Sequence, residues 1–170
     1  MKFTDILILS VILVGGYSYF FNKDEPPTVN EKLIAQFEKY KTVRKGDWEK
    51  GEVIDSVQVY TAKTDYPAFQ SVWLLGVNEA SVMVVTSGKY PKIEPSMALG
   101  QCKNLAESVM DNRADSIGNA VSTIFTTAVN TFNEEGKKVK ASAEIGNTPF
   151  SVTVQNIDSA LTYSCVIGIS

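Results

Sequence analysis

The chain has 170 residues, 44 % of them hydrophobic and 21 % charged, and 16 Lys and Arg against 19 Asp and Glu leave a net charge of −3. With no basic run longer than Lys137-Lys138, that balance argues against nucleic acid as a partner, because phosphate binding needs a clustered positive surface. Histidine is absent, which removes Ser-His-Asp and Cys-His nucleophile arrangements, His-ligated metals, and any side chain that ordinarily titrates near neutrality.

Residues 6–21, ILILSVILVGGYSYFF, carry no charge. As a helix they would span about 24 Å, short of the roughly 30 Å hydrocarbon core unless Phe3 and Thr4 are added. Three placements fit. As an uncleaved anchor the stretch has Lys2 on the cytoplasmic side and Tyr17, Tyr19, Phe20 and Phe21 among the outer headgroups. As a secretory signal it has residues 6–14 as its apolar region and Gly16 and Ser18 at a cleavage site. As a soluble helix it would be buried. The first is adopted: a single pass through the inner (cytoplasmic) membrane, with residues 30–170 outside the cytoplasm and residues 22–29 as a linker stiffened by Pro26-Pro27. The alternative is a secreted, periplasmic domain.

Thr28 and Glu31 have the form of a capping box, and Leu33, Ile34, Phe37 and Tyr40 follow a helical period, predicting a helix over 30–43. Residues 46–51 read as a turn, and Val53, Val57 and Val59 alternate as one strand to Thr61. Residues 63–69 read as loop. The apolar runs 72–77 and 81–87, separated by Asn78-Glu79-Ala80, have hairpin spacing. After the loop GKYPKIEP the period turns helical from Ser96, with Cys102, Leu105, Ala106, Val109 and Met110 on one stripe. A further helix runs from Asp115 to Gly136, and the last third alternates as a three-strand antiparallel meander. The predicted fold class is α+β: an N-terminal transmembrane helix, then an antiparallel sheet of about five to six short strands packed with two to three helices.

The only cysteines, Cys102 on the helical stripe and Cys165 on an apolar strand face, predict a disulfide if those elements share a core in an oxidising compartment. The carboxylates cluster as Asp47, Glu49, Glu52 and Asp55 and as Asp111 and Asp115, each group interleaved with basic residues in polar turns. A solvated surface explains them better than an acid/base pair. No metal, cofactor or catalytic set is expected. Among the aromatics near loops, Trp48, Tyr66 and Tyr90 are the candidate partner- or ligand-contact residues, set against the plainer role of lids on a small core.

The layout of an apolar N-terminal stretch, an amphipathic helix, an antiparallel sheet and a late Cys pair resembles type IV pilins and pseudopilins, and KFTDILIL is similar to their F-T-L-I-E start. Leu7 stands where that family has its Glu, and Pro26-Pro27 interrupt the long helix. No residue role is carried over. The expected function is a non-enzymatic, membrane-anchored extracytoplasmic protein-interaction or assembly component of a bacterial, phage- or plasmid-encoded envelope system, attached through residues 6–21. The alternative is a secreted periplasmic domain that binds a small ligand, a glycan or an enzyme as inhibitor.

Overall fold

The computed structural model describes residues 26–169. They form an α+β unit of one antiparallel sheet and three helices in the order α1 (Val29–Lys39), β1 (Trp48–Ile54), β2 (Val57–Tyr66), β3 (Phe69–Leu75), β4 (Glu79–Thr86), α2 (Glu94–Val109), α3 (Asp115–Glu135), β5 (Val139–Ile145), β6 (Thr148–Ile157) and β7 (Ala160–Gly168). Two expectations are corrected. The sheet has seven strands rather than five to six. Among the described residues no helix is long and apolar enough to cross a membrane, and the stretch 6–21 that was expected to do so lies outside them.

The extra strand comes from the segment read as one strand over residues 53–61. Asp55 and Ser56 both take positive φ, 49° and 65°, and turn the chain in a two-residue hairpin. The expected turn around Trp48 is therefore the start of edge strand β1, and the expected loop 63–69 supplies the end of β2 and the start of β3. A register shift between Lys50 and Val53, with Glu49, Lys50 and Glu52 exposed, blunts β1 as an edge for further pairing.

Helix α1 opens on the predicted capping box: Thr28 Oγ1 accepts from Glu31 N, and the Glu31 carboxylate accepts from Thr28 N at 2.9 Å. It stops at Lys39, short of Val43. Lys41 turns left-handed at φ 57°, so that Lys41 N–H reaches Glu38 O and Thr42 N–H reaches Phe37 O, the Schellman pattern without its usual glycine. Helix α3 ends in the ordinary way, on Gly136 at φ 67°.

Strand order is β1-β2-β3-β4-β7-β6-β5. After β4 the two long helices carry the chain to the far edge, and β6 and β7 bring it back beside β4. The pairings Trp48↔Ala62↔Trp73↔Val82↔Cys165↔Val152↔Ala141 therefore lie in one row across the sheet, all on one face. All three helices pack on that face. Phe37 of α1 meets Trp48 and Trp73 edge-on at 5.4 and 5.7 Å, Cys102 of α2 is bonded to Cys165, and Phe125 of α3 stacks on Tyr163 at 5.3 Å. Each fully buried large side chain of this layer contributes about 1.5–3 kcal/mol of burial free energy. The opposite face is uncovered among the described residues, with Val72, Leu74, Met83, Val85 and Val166 half-buried between Ser81, Ser164 and Thr153.

The sheet has two distinct ends. The chain enters at one of them, where Asn30, only 1 % exposed, donates from Nδ2 to Gln58 O at 2.8 Å and Gly76 O at 3.1 Å. The β2–β3 turn, the β4–α2 connection and the β6–β7 turn all lie at the other.

Candidate functional site

At this loop end the three connections are tied together. Ser87 N–H donates to Ala68 O across to the β2–β3 turn, and Thr86 Oγ1 donates to Leu161 O across to the start of β7, both at 2.9 Å. The β6–β7 turn is closed by Asp158 and Ser159, each at positive φ. Between it and the β4–α2 connection lies a cavity of about 310 Å³, walled by Pro91, Pro95, Ala160 and Leu161 and carrying Thr86, Ser87, Glu94 and Tyr163.

Glu94 is the first residue of α2, where the exposed N–H groups of a helix start favour negative charge, and Pro95 after it fits the first turn. Its side chain is folded inward and only 4 % exposed. One carboxylate oxygen accepts from Ser87 Oγ at 2.9 Å and from Tyr90 N–H at 3.2 Å, which closes the 87–90 loop over the helix start. The other oxygen has no hydrogen-bond partner among the described residues, and none of their ion pairs includes Glu94. Tyr163, 1 % exposed, lines the same cavity. Burial, and then the negative charge of Glu94, push its phenol up to about 12.

Of the aromatics singled out by sequence, Tyr90 is joined to this site through its N–H on Glu94 and is 46 % exposed. Tyr66, equally exposed, stacks on Phe69 at 4.7 Å and borders a neighbouring hollow of about 660 Å³. That hollow carries Lys41, Arg44, Lys63, Asp47, Glu49 and Asp65, three charges of each sign. Trp48 is not at the surface end with them; it is half-buried on the core face against Phe37. Cys102 and Cys165, both 0 % exposed, are joined as a disulfide with Cα atoms 5.7 Å apart, a bond that holds α2 to the centre of the sheet.

The carboxylate clusters are dispersed. Asp47 is bound by both Arg44 Nε and a second guanidinium N–H, and Asp111 by Lys39 Nζ; each partner holds its carboxyl below the ordinary range. Among the described residues no group of three or more His, Cys, Asp or Glu could hold a metal ion.

Glu94 and Tyr163 were not visible as a pair in the sequence. Glu94 sat inside a loop read as ending at Ser96, although Glu-Pro at a helix start is itself a signal for the first turn. Comparison with protein-family models, curated proteins and solved structures finds no match for this chain.

Proposed function

We propose that this chain is a non-enzymatic, extracytoplasmic recognition domain of an envelope system, attached or delivered through residues 6–21, that presents the loop end of its sheet to a protein partner. The observation that carries the reading is the placement of exposed apolar side chains. Tyr66, Tyr90, Ile93 and Ile157, each 42–51 % exposed, stand at the end of the sheet opposite to the one where the chain enters. A patch of large apolar side chains rimmed by polar loops is the ordinary composition of a protein contact surface. Export is supported by the buried disulfide, a bond that persists in oxidising compartments. Attachment at residues 6–21 turns the entry end, with Val29, Val53 and Ile54 exposed on it, toward the membrane.

The test is a pair of double variants compared in the organism of origin. Tyr90→Ala/Ile93→Ser should abolish cross-linked co-purification with the envelope partner at unchanged melting temperature. Val53→Ser/Ile54→Ser at the entry end should leave it intact. Equal loss in both, or loss in neither, refutes the reading.

A second reading, a secreted domain binding a small ligand, is favoured by one observation, the cavity with the buried Glu94 carboxylate. It predicts a saturable ligand response that does not require residues 6–21.

A further inference from the structure

We infer that the Glu94–Tyr163 cavity receives a cationic side chain, lysine or arginine, projected by the protein partner; this rests on the recognition reading above and names the chemistry of its central contact. Ser87 and Tyr90 satisfy one oxygen of Glu94, and the other, without a donor among the described residues and open to solvent, is free to accept from a cation that enters the cavity. Lys89 and Lys92, on the same connection, are exposed and make no ion pair with Glu94 among those residues.

A second group points to the same occupant. Tyr163, 1 % exposed, lines the same cavity, and its hydroxyl, which bonds no described side chain, is not sealed from solvent there. As an acceptor it complements an ammonium or guanidinium, both of which carry only donors. The walls fit the rest of such a side chain. Pro91, Pro95 and Leu161 offer apolar surface for the methylene stem, as long basic side chains use when their charged tip finds a polar partner.

The probes are N-acetyl-lysine methylamide and N-acetyl-arginine methylamide, with N-acetyl-norleucine methylamide as the uncharged control of similar stem. They are titrated into the full chain in nonionic detergent while the backbone amides of Ser87 and Tyr90 are followed by NMR. The cationic probes should shift both amides saturably and norleucine should not. Glu94→Gln, which keeps an oxygen for Ser87 and Tyr90, should weaken binding at least about tenfold, the loss expected for one charge-assisted contact. Should that variant unfold, Tyr163→Phe and the norleucine contrast in the unaltered chain carry the test. Equal shifts by norleucine, or none by either cation, overturn the inference.

The two readings fail separately. If Glu94→Gln captures the envelope partner at the unaltered level, the cationic contact falls and the recognition surface stands. If the cations bind but Tyr90→Ala/Ile93→Ser leaves partner capture unchanged, the recognition reading falls and the cavity's preference for a cation stands.

Discussion

Breaking the Cys102–Cys165 bond is the perturbation whose cost can be worked most fully from this fold. The bond closes a 63-residue loop, and removing it returns loop freedom to the unfolded chain worth about 4 kcal/mol at room temperature. That loop runs from the middle of α2 through α3, β5 and β6 into β7, most of the excursion that carries the chain to the far edge of the sheet and back beside β4. Unfolding entropy of about 2.1 cal/mol/K per residue, over a domain of this size, converts 4 kcal/mol into a fall in melting temperature of about 13 °C. The assay is urea and thermal unfolding of the full chain in detergent, oxidised against reduced and alkylated after unfolding. Because both sulfurs are 0 % exposed, mild reductant added to the folded protein should act only as fast as the core opens. Coincident unfolding midpoints for oxidised and reduced protein would refute the reasoning, as would rapid reduction in the folded state.

Three further outcomes are expected. Asn30→Ala, which leaves the Gln58 and Gly76 carbonyls without their donor, should cost about 2–3 kcal/mol, and Asn30→Asp should cost more because it sets a buried anion against those carbonyls; chemical unfolding of both variants checks the order. Ser71→Ala should raise stability by about 1 kcal/mol, read from the urea midpoint at constant slope, since the Ser71 hydroxyl is buried without a partner among the described residues. Tyr163 ionises near pH 12 in the folded chain and near 10.0 when exposed, so the unfolded state loses its proton first as pH rises. Its contribution to stability is whole below pH 10 and is lost as pH climbs toward about 12. An absorbance titration should show a phenol ionising toward pH 12 that disappears in Tyr163→Phe.

How far the fold could be read in advance followed the local chemistry of its turns. The helix ending on Gly136 and the meander turning at Gly146 were legible because glycine announces a left-handed residue. Lys41, Asp55, Ser56, Asp158 and Ser159 take positive φ without that announcement, so the sequence pattern alone extends α1 past Lys39 and joins β1 and β2 into one strand. The cysteine pairing was legible because periodicity put each sulfur on an apolar face before any contact was known. The cavity was not, because Glu94 is buried by two partners upstream in the sequence, Ser87 and Tyr90, and by a tyrosine 69 positions downstream. No periodic signal joins those positions; the strand order that sets β7 beside β4 does. Tyr90 and Trp48 were both singled out as aromatics beside loops; the structure sets Tyr90 in the exposed 87–90 loop and Trp48 half-buried on the core face against Phe37.

The account's central claim is that one end of the sheet meets a partner and the other does not. Site-specific photo-crosslinking in the organism of origin tests it directly, with a photoreactive phenylalanine analogue placed singly at Tyr66, Tyr90, Ile93 and Ile157 and, for comparison, at Ile54 and Asn147 on the entry end. The expected result is one discrete protein adduct from the loop-end positions and none from the entry end. Adducts confined to Ile54 and Asn147, or the same adduct from all six positions, would contradict it.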